Sequence, residues 1–307
     1  MPFQSKTILA PMAGVTDKPF RQTVRLFCNN LLFTEMISAD ALCYGSKQTR
    51  QMMDLSAETG PIGIQLVGSD PKVMARAAQM AEQAGAVQID INMGCPVKKL
   101  ISNISGSALM KEPYRAYQIV EAVKKAVSVP VTVKTRLGWD AVHITVVDFA
   151  RHLEEAGADG LTIHARTKEQ GYSGRADWSW IQKVKQAVSV PVIANGDITD
   201  AQTAESCLAQ TRADGVMIGR AAMGKPWILA HVDGQMPRFD LTEVVLAHFD
   251  RLMTYYGHKG IFIARKHLAW YAGGKTFVAH FRRAVYAETD EERVRSLIKA
   301  YFKEENG

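Results

Sequence analysis

The 307-residue sequence lacks several things, and each lack narrows what it can be. No uncharged apolar run approaches the ~20 residues that a membrane span needs, so no membrane segment is expected. The opening stretch, MPFQSKTILAPMAG, has no basic segment followed by a long apolar core. No secretory leader is therefore expected, and the cytoplasm is the default location. Cysteine is scarce: Cys28, Cys43, Cys95 and Cys207, with no C-x-x-C pair. That speaks against a disulfide framework and a thiolate zinc site, and for free thiols in a reducing compartment. H-E-x-x-H is absent and His164 has no partner at ligand spacing, so no metal is expected. No G-x-G-x-x-G follows the first apolar run, which argues against a doubly wound dinucleotide-binding sheet. Finally, Asp and Glu are missing from Arg251 to Ala287, a stretch holding seven Lys or Arg.

What is present repeats. KKAVSVPVTVKTR (124–136) echoes KQAVSVPVIANGD (185–197). AEQAGAVQIDIN (81–92) echoes LEEAGADGLTIHA (154–165) and LAQTRADGVMIGR (208–220). Each reads as a helix tail, a short turn and a strand, and proline is tolerated where a strand begins. Strands are expected near 7–10, 31–35, 62–67, 87–92, 131–135, 160–164, 192–195 and 215–218, with amphipathic helices such as 71–84 and 113–127 between them. Eight βα units in this span match a (β/α)8 TIM barrel. The pattern stops after GRAAMGKPWIL (219–229); DGQMPRF (233–239) reads as a linker, and the remainder as a small C-terminal all-helical domain. The expected division is a barrel over 1–235 and a helical domain over 240–307.

In such a barrel the functional face is built at the C-terminal strand ends. Those ends carry Pro11-Met12-Ala13, Glu35, Gln65, Asn92 followed by Cys95, Lys134 with Arg136, His164 with Arg166, Asn195-Gly196-Asp197 and Gly219-Arg220. Convergent polar groups at a concave mouth are the default binding site. The glycines and Arg220 after strands 7 and 8 suit a phosphate dianion. Pro11, Met12 and Ala13 can lie against a flat ring, and Gln65, Lys134 and His164 can bond its polar edge. The set suits FMN. A reduced flavin gives a hydride to an electron-poor double bond, and the carbon left behind needs a proton. The thiol of Cys95, mostly protonated at neutral pH, can donate it. Lys98 and Lys99 would lower its pKa if they pointed at the sulfur, so they are expected to face an anion such as a nucleic-acid backbone.

These stretches, with LAPMAGVTDKPFR (9–21), IDINMGCPVKK (89–99), VKTRLGW (133–139), PVIANGDI (191–198) and IARKHLAWY (263–271), resemble the tRNA-dihydrouridine synthases, most closely their bacterial B-type branch. The resemblance runs the length of the chain. It implies an FMN-containing barrel with a helical tRNA-binding domain that reduces C5=C6 of particular uridines in tRNA, with NADPH recharging the flavin. By motif position Pro11, Met12, Ala13, Gln65, Lys134, His164, Asn195, Gly196, Asp197, Gly219 and Arg220 would hold FMN. Cys95 would protonate C5, and Asn92 and Arg136 would contact the flipped uracil. One loop departs from the family pattern: LISNIS (100–105) lacks the basic pair many relatives carry there.

The acid-free stretch supplies the RNA-facing half of this reading. Arg265, Lys266, Arg282 and Arg283 are expected at phosphates, with Lys98 from the barrel, since basic charge gives salt-dependent affinity for nucleic acid. The net charge of +6 permits such a partner. Two competing readings are another FMN barrel enzyme acting on a free small molecule, such as a dihydropyrimidine dehydrogenase-like reductase, and a non-catalytic RNA-binding protein with a vestigial barrel. The basic helical domain speaks against the first, and intact Cys95, Lys134 and His164 against the second. No protein partner is expected, and the chain is read as a monomer.

Overall fold

A computed structural model describes residue 3, residues 5–97 and residues 101–304. Eight parallel strands close into a barrel in sequence order. They are β1 (Thr7–Leu9), β2 (Leu32–Ser38), β3 (Ile62–Val67), β4 (Gln88–Met93), β5 (Val131–Arg136), β6 (Gly160–His164), β7 (Val192–Asn195) and β8 (Gly215–Ile218). β1 pairs with both β2 and β8, which completes the ring. Helices fill the crossovers, as parallel pairing requires. The expected strands agree with this to within a residue or so except at β2.

There the strand runs three residues past its expected end, because the β2–β3 register shifts between Phe33 and Met36. At the shift the Thr34 hydroxyl takes the place of a ladder carbonyl, accepting from Gln65 N–H at 3.3 Å. Glu35 is thus inside β2, where it accepts a hydrogen bond from Gly14 N–H at 2.5 Å, and does not end the strand.

The sequence echoes correspond to repeated bonding. Glu82 Oε1 accepts from the N–H groups of Ser128 and Val129, and Glu154 Oε1 accepts from those of Ser189 and Val190. Val131 N–H donates to Asp159 at 2.7 Å and Val192 N–H to Asp214 at 2.7 Å. Pro130 and Pro191 cannot donate, but their carbonyls accept from Ile89 and Leu161. The same local chemistry therefore starts β5 and β7.

Helix starts follow the same economy of caps. Asp70 accepts from Val73 N–H ahead of Pro71–Gln83, and Asp200 and Thr203 form a reciprocal capping box ahead of Ala201–Thr211. Apolar faces of these helices pack on the outward residues of the strands, such as Ile89, Ile91, Val131 and Val133. The lower interior of the barrel is filled by Ile8, Phe33, Ile193 and Met217.

Past the short helix Ile228–Val232, the helices Leu241–Tyr256, Lys259–Tyr271, Val278–Ala287 and Glu291–Glu304 enclose a separate core of Val245, Phe249, Leu268, Phe281, Ile298 and Phe302. This helical unit rests on the helix Lys18–Val24 and its flanks. Tyr256 Oη donates to Asp17 Oδ2 at 3.0 Å, and Tyr255 Oη donates to the Gln51 carbonyl at 2.9 Å. Gly224 marks the closest approach: it has φ +74°, and a Cβ there would lie 2.4 Å from the Trp270 carbonyl oxygen. Among the described residues no helix is long and apolar enough to cross a membrane.

Candidate active site

Alternation along a strand sends every second side chain inward. In β3 to β7 many inward residues are polar, and in register they stand side by side: Gln65 beside Asp90, Asp90 beside Thr132, Asn92 beside Lys134, and His164 beside both Arg136 and Asn195. At the C-terminal mouth a cavity of about 460 Å³ opens over β1 and β5–β8. That size is ordinary for a small-molecule or cofactor site.

Most of the expected cofactor residues line it: Pro11, Met12, Lys134, His164, Asn195, Gly196, Asp197, Gly219 and Arg220. Ala13 does not; it is exposed on the turn beyond Met12. Lys134 Nζ donates to Asn195 Oδ1 at 3.0 Å, and Asn195 Nδ2 donates to the Met217 carbonyl at 2.8 Å, which fixes the amide's orientation. Burial, helped by Arg136, brings Lys134 down to about 8. Burial and the cations Lys134, Arg136, Arg166 and Arg220 hold His164 far below its ordinary range, so its ring is neutral. Asp197, at φ 56°, turns its carboxylate back to Arg166, Arg220 and the Ala176 N–H. Burial opposes ionisation there, but those donors hold the carboxyl below its usual range. Asp197 therefore borders the cavity with its charge already matched.

Gln65, Asn92 and Arg136 occupy the expected strands; they are not among the residues lining this cavity, and several of their polar atoms bond the protein. Gln65 Nε2 donates to Asp90 Oδ2 at 2.7 Å, and Asn92 Nδ2 donates to Gln65 Oε1 at 2.8 Å. Asn92 Oδ1 accepts from Gly94 N–H at 3.1 Å and Cys95 N–H at 2.9 Å. Arg136 is buried; its Nε donates to the Gly94 carbonyl, and its Nη1 to the Thr167 and Gly171 carbonyls. These bonds shape the loops around Cys95.

Cys95 follows β4 on the same mouth and is half-buried. Gly106 (φ +61°) lies against it, where a Cβ would come within 2.9 Å of the Cys95 carbonyl oxygen. Burial pushes the thiol pKa up, against the pull of the Val97 N–H, Arg136 and Lys134. A group with this balance stays protonated at neutral pH and can donate. Among the described residues, the cations acting on it are Arg136 and Lys134 of β5; Lys98 and Lys99 lie outside the described residues.

Two residues of the site had no expected role: Arg166, expected only as a polar residue beyond β6, and Tyr172. Arg166 is fully buried and donates to Asp197 and to the Ser173 and Gly174 carbonyls. Tyr172, on the loop so anchored, lines the cavity with the Arg220 guanidinium 5.1 Å and that of Arg136 5.5 Å from its ring centre. The sequence signal was the arginine two residues after His164 and the aromatic in QGYSG.

On the helical unit, Arg282 and Arg283 are exposed, whereas Arg265 packs over Phe262 and donates to the Glu288 carbonyl. Lys266 reaches back to the barrel, with Nζ 3.4 Å from where a Cβ on Gly14 would be. Among the described residues no group of three or more His, Cys, Asp or Glu could hold a metal ion.

A closed parallel barrel with a polar, net cationic mouth and a neutral thiol beside it defines a TIM-barrel enzyme. The sequence profile described as dihydrouridine synthase matches residues 8–306, and the chain belongs to that family. It is 42% identical to a probable tRNA-dihydrouridine synthase of Rickettsia bellii, over 97% of this chain and 95% of that protein. It is likewise 42% identical to tRNA-dihydrouridine synthase B of Xanthomonas axonopodis pv. citri, over 97% of this chain and 92% of that one. Among solved structures, histamine dehydrogenase from Rhizobium sp. 4-9 shares the fold with a TM-score of 0.59 at 14% identity; the match covers 81% of this chain and 49% of that chain.

Proposed function

We propose that the protein is a tRNA-dihydrouridine synthase that uses FMN and NADPH to reduce C5=C6 of uridines in tRNA. The observation that carries this is the juxtaposition of the cavity over β5–β8 with the protonated thiol of Cys95 on the next strand end. The names of the relatives support the substrate.

The cavity fits FMN on its own chemistry. One wall offers Lys134, the fixed amide of Asn195 and the neutral ring of His164, suited to the polar edge of the ring system. Pro11 and Met12 supply the apolar face. Gly196, Gly219 and Arg220 border the other end, where Gly219 keeps the backbone low: the nearest side-chain atoms to a Cβ there would be Ala10 Cβ and Met12 Sδ at 3.7 Å. With Asp197 matched by Arg166, the remaining cationic charge suits a phosphate. Bound there, FMN would supply the electrons needed to saturate a pyrimidine double bond, with NADPH as their source.

The chain's own part is positional and acid–base. Cys95 gives its proton to C5, and Asn92 holds the turn that carries it. Lys134 supplies positive charge at the base of the site. The uracil must leave its stack to reach the mouth, at a cost of a few kcal/mol. Residues 240–307 act as the tRNA-binding domain, through Arg282, Arg283, Arg265 and Lys266, and offset that cost; residues 1–235 act as the catalytic domain. The site of action is the cytoplasm.

The test is direct. Protein purified with added FMN is incubated with NADPH and unmodified tRNA, and dihydrouridine is measured by mass spectrometry. Product is expected with the wild type, with single-turnover formation at least about a hundredfold slower in Cys95→Ala. Absence of product, or turnover of free uridine without RNA, would overturn the reading.

A further inference from the structure

Asp90 belongs to none of the roles above, yet it is fully buried on the barrel axis side of β4 and the side-chain hydrogen bonds of its network run toward it. On one side Gln88 Nε2 donates to Thr132 Oγ1 at 2.8 Å, and Thr132 Oγ1 donates to Asp90 Oδ1 at 2.7 Å. On the other, Gln65 Nε2 donates to Asp90 Oδ2, Asn92 Nδ2 donates to Gln65 Oε1, and the Gly94 and Cys95 N–H groups donate to Asn92 Oδ1. A carboxylate only accepts, whereas each amide has one accepting and one donating end. The acceptor at the barrel centre therefore dictates which way Gln65 faces, Gln65 dictates Asn92, and Asn92 places an oxygen against the Cys95 turn.

We infer that Asp90 is a positioning residue: its carboxylate sets the direction of a two-amide relay that holds the Cys95 turn in its proton-donating geometry. The chemistry of an Asp90→Asn variant shows why the charge type matters. An amide at position 90 can donate to Gln65 Oε1, which lets both relay amides reverse. In the reversed state Asn92 aims Nδ2 at the N–H groups of Gly94 and Cys95, donor against donor, and the turn loses its anchor. A buried polar relay of this kind is costly when half satisfied, so the turn is released rather than strained. The catalytic consequence rests on the reading of Cys95 as the acid; the structural consequence does not.

The readout is therefore the alkylation rate of each cysteine by iodoacetamide, measured peptide by peptide in flavin-free, RNA-free protein. In Asp90→Asn, Cys95 is expected to react about fivefold faster, while Cys28 and Cys43 in the same molecule stay unchanged. In the tRNA assay the single-turnover rate at saturating tRNA falls about tenfold, with the half-saturating tRNA concentration unchanged, since Asp90 touches no substrate. Thr132→Val cuts the other arm and leaves the relay, so its Cys95 rate stays within about twofold of wild type. If Asp90→Asn does not fold, Gln65→Leu severs the relay without adding a donor and is expected to raise the Cys95 rate equally. An unchanged Cys95 rate in the folded variant, a rise shared by all three cysteines, or an equal rise in Thr132→Val overturns the relay. A wild type that makes no dihydrouridine overturns the proposed function instead, because alkylation is read without it.

Discussion

Arg166 donates from Nη2 to both carboxylate oxygens of Asp197, at 2.8 and 2.7 Å, and so ties the end of β6 to the turn after β7. The same guanidinium holds the Ser173 and Gly174 carbonyls, and with them the loop that carries Tyr172 over the cavity. Two strand ends and a loop thus share one buried cation.

Arg166→Ala should cost about 3 kcal/mol, because it leaves Asp197 and two loop carbonyls without their donor in a largely buried setting. Arg166→Lys keeps the charge but not the fork, and should recover less than half of that. Urea denaturation of the flavin-free variants measures both. A loss below about 0.5 kcal/mol in Arg166→Ala would mean the loop is held by something else.

The barrel was largely legible in the sequence for a physical reason. Strands covered on both faces read as short apolar runs, and the Val-Pro-Val starts carried identical turn chemistry twice over, through Glu82 with Ser128 and Glu154 with Ser189. The site was legible as a set of residue types at strand ends. What could not be read was direction. Gln65, Asn92 and Arg136 have the right chemistry at the right height, but whether their polar atoms face a ligand or one another depends on neighbours from other strands. The extension of β2 past Glu35 escaped because a register shift leaves no composition signal. The role of Arg166, and Tyr172 altogether, escaped because both depend on how the loop after β6 folds back.

Acid should destabilise the protein through its buried histidines. An unfolded histidine titrates near 6.5. In the folded chain burial, with nearby cations, depresses His164 and His267 far below that and brings His248 to about 3. Depressed values mean that the unfolded state takes up protons first, so this stability is present above pH 6.5 and is lost as pH falls below it. Asp17 and Asp90 act oppositely: burial raises both to about 6, so the folded state binds their protons first as pH falls from 6 toward 3.8. Between pH 6 and 5.5, three histidines against two aspartates leave about one net proton taken up on unfolding, or about 1.4 kcal/mol per pH unit. Below about pH 5 the carboxyls of Asp54, Glu82, Asp140, Asp197, Asp200 and Glu288, held below their usual range in the fold, add to that uptake. Neither ring nitrogen of His267 has a hydrogen-bond partner among the described residues, and its ring stacks on Phe20. His267→Phe should therefore fold, and should remove most of the slope between about pH 6 and 5.5 in urea titrations at those two values.

Lys134 should make FMN binding pH-dependent on the alkaline side. Burial first, and Arg136 second, bring its pKa down to about 8 in the flavin-free site. Above that value binding must restore the proton, so affinity should fall by up to about tenfold per pH unit between 8 and 10. Lys134→Gln should bind FMN about tenfold more weakly at pH 7 and lose the alkaline dependence. Flavin fluorescence quenching reads both, and equal slopes in the two proteins would remove Lys134 from the flavin site.

Arg282 and Arg283 lie exposed on one helix, whereas Arg265 is engaged with Phe262 and the Glu288 carbonyl. That difference separates RNA contact from packing. Alanine at both exposed arginines should leave stability within about 0.5 kcal/mol of wild type. It should lower the slope of log affinity against log salt by roughly one per arginine, since each phosphate contact releases counterion. The maximal rate at saturating tRNA should stay unchanged, because neither residue is near the cavity. Arg265→Ala should instead lower stability while changing the salt slope less, since its guanidinium is partly spent on the protein. Titration of labelled tRNA at four salt concentrations distinguishes the two behaviours. An unchanged slope in the double variant would move the RNA footprint off this helix and toward the face of Lys266 and Gly14, where the helical unit meets the barrel mouth.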